Sequence, residues 1–459
     1  MESPVEKALA LFHEVYQTSK AYKHFVDSHG VRANDIKKVS DFKKIPITDR
    51  HNYINKYPLE DRLFGGKKLY DYYMISASSG STGKPTFWPR DFTTDSHLEK
   101  KKEEMYEEHF EISKKNTLCV ISFALGNWTG GMLTAKLSWG VANKHNFTVV
   151  TPGMNNADTL AYIARLYKFY DQVILLAYPP FLTDFIEFTK EQKFSLTRVN
   201  LKVMCTGDRF SETWRDFVVK SISSHKNRYD VVSFYACSDS GIIGCETKLC
   251  IDLLNQAKKN KLFCQTLFRA NNTPTLVTYD PNIKYLESVD GEIFITARQP
   301  SPLIRYNIHD RGNLLHKQKI KQACHDFGIT SKNKLDENYV FVFGRSDAVL
   351  LAANIYIEDI KYCIENSQFS DKFTGKFKYG REETKDLRYS LKLIVYLKQN
   401  EQMTGEEKIS FLKEIIKNLK EVNNDFKLIF EKTKMKKFNI EFKKDNFENI
   451  KGTKLTYFL

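Results

Sequence analysis

Ser78-Ser79-Gly80-Ser81-Thr82-Gly83-Lys84-Pro85 gathers hydroxyls, two glycines and a lysine into one short stretch. Glycines let a loop turn successive backbone N–H groups toward one point, which makes a cradle for an anion. Hydroxyls add donors, and the lysine adds a mobile positive charge suited to a phosphate. This is not the Walker loop G-x-x-x-x-G-K-[ST]. Ser78 stands where that motif needs its first glycine, and Pro85 follows Lys84 where a hydroxyl should hold magnesium. On composition alone the stretch reads equally well as a Ser/Gly surface linker. Further groups able to do chemistry follow in order: Thr206-Gly207-Asp208, Tyr235-Ala236-Cys237-Ser238-Asp239, Arg305-Tyr306-Asn307-Ile308-His309-Asp310, Gly344-Arg345-Ser346-Asp347 and Gly452-Thr453-Lys454. Singly, each has an ordinary reading. Asp239 would cap a helix, Tyr235 would pack in the core, Asp310 would sit in a turn, Arg345 would join a surface ion pair, and Lys454 would be one more exposed lysine.

The elements that must position these groups are legible from periodicity. Residues 1 to about 65 read as helices with polar loops. Short apolar runs at Leu118–Phe123, Phe147–Thr151, Gln172–Ala177, Val199–Cys205 and Val231–Tyr235 suit strands, and Ala157–Tyr170 and Pro180–Glu191 have helical periodicity. Alternation of this kind predicts a layered α/β sheet, mostly parallel. From about residue 284 the pattern becomes antiparallel. The turn at Gly344–Asp347 divides a large N-terminal layered α/β domain, 1–343, from a small mobile α+β C-terminal domain, 344–459. In the smaller part a helix is expected at about 356–366, strands around Leu387–Leu397, a helix at about 405–423 and a strand at Phe426–Phe430.

Bulk properties narrow the function class. The chain has 459 residues, enough for two or three domains, and a formal charge of +14. That charge alone would allow a nucleic-acid or membrane-surface binder. The lysines are dispersed, however, as in Lys100-Lys101-Lys102 followed at once by Glu103-Glu104, which reads as a solvated helix face. No nucleic-acid partner is therefore expected. The 8 cysteines form no C-x-x-C pair and lie mainly inside apolar runs, so reduced, buried thiols without a metal are expected. Met1-Glu2-Ser3-Pro4 leads into an amphipathic helix rather than a signal peptide, and no run approaches the roughly 20 apolar residues of a membrane span. The expected location is cytoplasmic.

The ordered motifs resemble the adenylate-forming superfamily of acyl- and aryl-CoA ligases, peptide-synthetase adenylation domains and luciferases. The phenylacetate–CoA ligase-like branch is the most similar. Its marks here are Asp41-Phe42-Lys43-Lys44-Ile45-Pro46-Ile47-Thr48-Asp49, Gly126-Asn127-Trp128, the Ser238-Asp239 form of the aromatic motif, and Asn354-Ile355-Tyr356. The resemblance covers nearly the whole chain and implies an ATP-dependent, AMP-forming acid–thiol ligase. Under it, Ser79, Gly80, Ser81, Thr82, Gly83 and Lys84 hold the β- and γ-phosphates of ATP. Asp239 contacts Mg2+. Tyr235 stacks on adenine, and Gly207 and Asp208 lie along the nucleotide. Asp310 accepts from both ribose hydroxyls, Arg345 neutralises nucleotide charge, and Asp347 is the hinge about which the small domain swings. Lys454 is the catalytic lysine that bridges carboxylate and α-phosphate, with Lys84 assisting at the phosphates.

Gly126–Gly131, Ala177-Tyr178-Pro179-Pro180 and Ala236-Cys237 would line a pocket for an apolar aryl or fatty acid. The chain departs from the pattern in four places. Asp239 replaces a Glu and reaches one methylene less far. Ala236 and His309 occupy positions that are often Gly. The loop after Asp347 lacks the Gly that makes room for the pantetheine arm of CoA. The resemblance therefore implies adenylation more directly than transfer to CoA, and an acyl carrier protein or an amine is the alternative acceptor.

Overall fold

The computed structural model describes residues 2–78, 85–126, 128–270, 273–345, 348–350, 354–356 and 359–444, except 361–362, 365, 384–388, 399–400, 424–425, 428–429 and 431–437. One compact unit lies within Met1–Ser78 and Thr86–Ser346, and a second within Asp347–Leu459.

The first unit is organised by a sheet of 11 strands. A separate hairpin of β1 (Met74–Ser78) and β2 (Thr86–Arg90) flanks residues 79–84. The large sheet contains β3 (Thr117–Ser122), β4 (Phe147–Val150), β5 (Gln172–Ala177), β6 (Leu201–Cys205) and β7 (Val231–Cys237). It continues with β8 (Gly241–Cys245), β9 (Thr275–Tyr279), β10 (Lys284–Val289), β11 (Glu292–Ala297), β12 (Leu303–His316) and β13 (Asn338–Arg345). Their order is β10-β11-β12-β13-β9-β8-β7-β6-β5-β3-β4. Strands β4, β3, β5, β6 and β7 pair in parallel. From β7 to β10 every pairing is antiparallel. The sequence reading placed the antiparallel character from about 284. It begins earlier, at β8, because the tight turn at Ser238–Ser240 folds the chain straight back on β7.

The parallel strands are mainly apolar, as strands covered on both faces tend to be; β3 and β5 are buried at every position. The Phe92–Phe110 helix buries Leu98, Lys102, Met105, Tyr106 and Phe110. Its Tyr106 hydroxyl lies 3.8 Å from the Cys119 sulfur on β3, which sets this helix on the parallel half. The antiparallel half is covered by the N-terminal helices Pro4–Thr18 and Lys20–Ser28, whose Phe12, Val15, Tyr22 and Phe25 share a core with Leu286, Ile293, Ile295 and Val340. Ser3 opens the first helix with a capping box to Glu6, and Ser19 caps the second.

The second unit contains a short pairing of β14 (Ala348–Leu350) with β15 (Asn354–Tyr356). Its main sheet joins β16 (Phe373–Glu383), β17 (Tyr389–Leu397) and β18 (Phe438–Lys444), with β16–β17 antiparallel and β17–β18 parallel. The Gly405–Val422 helix, capped by Thr404, packs Phe411, Ile415 and Leu419 against Phe373, Phe377, Leu391 and Leu393. The described residues of the strand expected at Phe426–Phe430 do not form a strand. Residues 426, 427 and 430 are helical, and the Asn423 side chain accepts from Phe426 N at 2.9 Å in the manner of a helix cap. Strand β18 was not anticipated, although Phe438, Ile440 and Phe442 alternate as a strand requires.

Candidate functional site

Four of the sequence-predicted residues lie on, or in a turn between, strands of the large sheet. Tyr235 lies on β7 and Asp239 in the turn from β7 to β8, while Asp310 lies on β12 and Arg345 ends β13. The backbones of Asp310 and Arg345 pair directly across β12 and β13. The Tyr235 hydroxyl donates to Asp310 Oδ2, so strands distant in sequence present an aromatic ring and a carboxylate to one another. Both residues are buried.

Asp239 is buried at 6% exposure. Its Oδ1 accepts from Arg50 Nη2 at 3.1 Å and its Oδ2 from the Tyr306 hydroxyl at 2.7 Å. Arg50 Nη2 also lies 3.5 Å from Ser78 Oγ, at the end of β1. A guanidinium thus joins the aspartate to the residue that opens the proposed phosphate loop. Arg50 carries no motif in the sequence; tertiary docking alone brings it here. Thr48 makes a short parallel bridge with Tyr306. Thr48 N donates to Arg305 O at 3.2 Å, Asn307 N to Thr48 O at 2.7 Å, and Thr48 Oγ1 to Ile304 O at 2.9 Å. Arg305 Nη1 reaches back to the carbonyls of Lys43 and Ile45 at 2.7 and 2.8 Å. Asp49 then caps the following turn by accepting from Asn52 N at 2.6 Å, which fixes the direction of Arg50. Burial of Asp49 opposes its charge, but the imidazole of His309 and nearby backbone N–H groups outweigh this and hold its carboxyl below the usual range.

The turn itself is braced. Gln299 Nε2 donates to the Asp239 carbonyl at 2.8 Å. Lys284 Nζ donates to the Ser240 carbonyl and, at 3.2 Å, to its hydroxyl. Gly241 has φ +71°, and a Cβ there would lie 3.1 Å from Leu98, so only glycine closes this turn without strain. Burial pushes the Lys284 ammonium down to about 7.

Gly207 follows β6 with φ +90°, and a Cβ there would touch Tyr178 at 3.7 Å. Asp208 is buried and accepts from Arg209 N at 2.7 Å through Oδ1. Ser79, Gly80, Ser81, Thr82, Gly83, Lys84, Asp347 and Lys454 lie outside the described residues.

The donor set can be tested against magnesium. Among the described residues no cluster of three or more His, Cys, Asp or Glu is arranged for a metal. Magnesium commonly takes only one or two protein carboxylates and completes its shell with water and substrate phosphates. A single buried carboxylate at Asp239 fits that use. Each oxygen has one partner here and retains a second lone-pair direction. All eight cysteines are free, in accord with thiols expected to stay reduced. No described helix is long and apolar enough to cross a membrane.

No protein-family model matches the chain. A phenylacetate-coenzyme A ligase of Aromatoleum evansii is 23% identical over 305 residues, which are 65% of this chain and 63% of that protein. A phenylacetate-coenzyme A ligase of Escherichia coli (strain K12) is 32% identical over 71 residues, 16% of each chain. The chain thus spans less than two thirds of the length of the curated relatives it matches. Among solved structures, 2-hydroxyisobutyryl-CoA ligase in complex with 2-HIB-AMP and CoA, in the thioesterification state, superposes with TM-score 0.65. The superposition has 12% identity and covers 99% of this chain and 88% of the other. The same enzyme in its postadenylation state gives TM-score 0.57 at 13% identity, with 99% and 88% coverage. The fold is that of the adenylate-forming enzymes. In sequence the chain's likeness is to phenylacetate–coenzyme A ligases, the resemblance its motifs pointed to.

Proposed function

We propose that the chain activates an apolar carboxylic acid, aryl or fatty, with ATP and passes the acyl group to a thiol, that of CoA. The observation that carries this reading is the convergence of Tyr235, Asp239 and Asp310, drawn from two separate motifs, through the Tyr235–Asp310 and Tyr306–Asp239 hydrogen bonds. The likeness to CoA ligases supports it.

Asp310 accepts from the ribose hydroxyls, and its bond from Tyr235 keeps the carboxylate oriented while the ring faces the base. Asp208 and Gly207 border the nucleotide, and Arg345 offsets its charge. Asp239, aimed by Tyr306 and Arg50, would hold Mg2+, which neutralises phosphate charge when bound. Ser79, Ser81, Thr82 and Lys84 steady the β- and γ-phosphates. A carboxylate oxygen of the acid attacks the α-phosphorus, the bond to the β-phosphate oxygen breaks, and pyrophosphate leaves. Lys454 supplies positive charge between the two anions as they meet. In the second step the thiol loses its proton, sulfur attacks the acyl carbon, and AMP departs.

The test is acid-dependent ATP–pyrophosphate exchange across a panel of carboxylic acids, followed by product analysis with and without CoA. Exchange with an aryl or fatty acid and formation of its acyl-CoA are expected. Exchange without acyl-CoA would point to a carrier protein or an amine as acceptor, the reading favoured by the loop after Asp347. Exchange with no acid overturns the proposal. Binding to nucleic acid or anionic vesicles that collapses steeply with salt would then favour the basic-surface alternative.

A further inference from the structure

We propose that Lys284 and Gln299 are positioning residues that hold the Ser238–Ser240 turn forward, so that the short side chain of Asp239 reaches a nucleotide-bound divalent cation. The inference rests on the function proposed above and adds two residues that no motif marks.

Lys284 lies on β10 at 5% exposure and Gln299 after β11 at 4%. Burying an ammonium is costly unless it is paired, and among the described residues Lys284 has no carboxylate partner. It is spent instead on the carbonyl and hydroxyl of Ser240, the residue after Asp239. Gln299 does the same one residue earlier, donating to the Asp239 carbonyl at 2.8 Å and to the Ser301 carbonyl at 2.9 Å. A cavity of about 500 Å³ has Ser240, Lys284 and Gln299 among its lining residues, with Leu98, Thr296 and Arg298. The two donors fix the polar backbone of the turn, while Leu98 packs against it at Gly241. Their value follows from the aspartate. It is one methylene shorter than glutamate, so its carboxylate can meet a cation only if the backbone that carries it stands closer.

The experiment combines Lys284→Met, Gln299→Leu and Asp239→Glu in the full chain. Affinity for Mn2+–ATP is measured by calorimetry alongside pyrophosphate exchange, with thermal melting as a check on folding. Lys284→Met is expected to weaken Mn2+–ATP binding about tenfold, or roughly 1.4 kcal/mol, with the melt retained. Adding Asp239→Glu is expected to restore most of that loss, because the longer side chain makes up for a retracted turn. In the otherwise unchanged protein, Asp239→Glu should weaken binding.

Gln299→Leu gives a second, uncharged route to the same result should Lys284→Met fail to fold. Wild-type affinity in both positioning variants overturns the proposal. So does a loss that Asp239→Glu does not restore, since that is the behaviour of general structural damage. Failure of the parent reading looks different: Asp239→Asn would then bind Mn2+–ATP as tightly as the unchanged protein.

Discussion

The β7–β8 hairpin carries a buried carboxylate at each end, and the two are built to opposite purposes. At the open end Glu246 meets Arg215, whose Nη2 donates at 2.7 Å. Arg215 Nε also donates to both oxygens of Glu212, at 3.1 and 3.0 Å, while Arg228 closes on Glu212 and Ser233 N on Glu246. Arg215, Glu212 and Glu246 are 0, 3 and 1% exposed. Two carboxylates hold the Arg215 guanidinium firmly charged despite its burial. Two arginines balance two glutamates, with the bonds made inside the protein. At the turn end Asp239 has one guanidinium and one phenol, and the Arg50 side chain keeps 15% exposure beside Ser78. A closed knot gives the hairpin a fixed base; a less saturated carboxylate at its tip has capacity for something else. The contrast is one of saturation: Glu246 meets its partners inside the protein, whereas Asp239 keeps hydrogen-bonding capacity.

That contrast can be broken by substitution. The largest effect is expected from Arg215→Leu, which strands the buried Glu246 and leaves Glu212 to Arg228 alone, and should lower stability by roughly 3–5 kcal/mol, read from urea unfolding. Lys102→Met should do the reverse. Lys102 is wholly buried under β7, its ammonium 4.3 Å from the Phe234 ring centre and 3.7 Å from the Met204 sulfur. Burial pushes it down to about 8. The unfolded chain therefore binds more protons than the folded one between about pH 8 and the ordinary lysine value of about 10.4, and stability rises with pH through that window. The gain from Lys102→Met should be on the order of 3 kcal/mol at pH 7 and fade above about pH 10.

Asp239→Asn should leave unfolding within about 1 kcal/mol of the parent but cut pyrophosphate exchange about 100-fold, some 2.7 kcal/mol of barrier. An equal loss of stability at both ends of the hairpin would erase the distinction. The smallest effect is reserved for the exposed Arg298–Glu14 pair, where Arg298→Ala should cost under about 1 kcal/mol by thermal melting.

Much of this was legible in advance, for identifiable reasons. Strands of the parallel half are continuous apolar runs bounded by polar turns, so β3, β5, β6 and β7 could be read to within a few residues. Tyr235, Asp239 and Asp310 each had an ordinary reading singly, and stood out only through the ordered set of motifs that resembles the adenylate-forming superfamily. Arg50, Gln299 and Lys284 were not legible. Each acts through a contact across many residues of sequence, and a lysine in a strand or an arginine in a polar loop looks like surface. The aromatic stretch at Phe426–Phe430 was misread because Phe favours strands while Asn423 favours a helix start, and the cap prevailed. Strand β18 was missed because its lysines and asparagine look like solvated surface, although edge strands often carry such residues.

The bridge between Thr48 and Tyr306 has a consequence for the order in which the protein comes into being. Thr48 Oγ1 and the Ile304 carbonyl are 256 residues apart in sequence. During synthesis the first fifty residues leave the ribosome long before β12 exists, so Arg50 has no berth until most of the large sheet is made. Closing so long a loop is entropically unfavourable and gains nothing until the last contacts form. Completion of this corner is therefore a late event, and a growing chain would carry Thr48 without its β12 contacts until then.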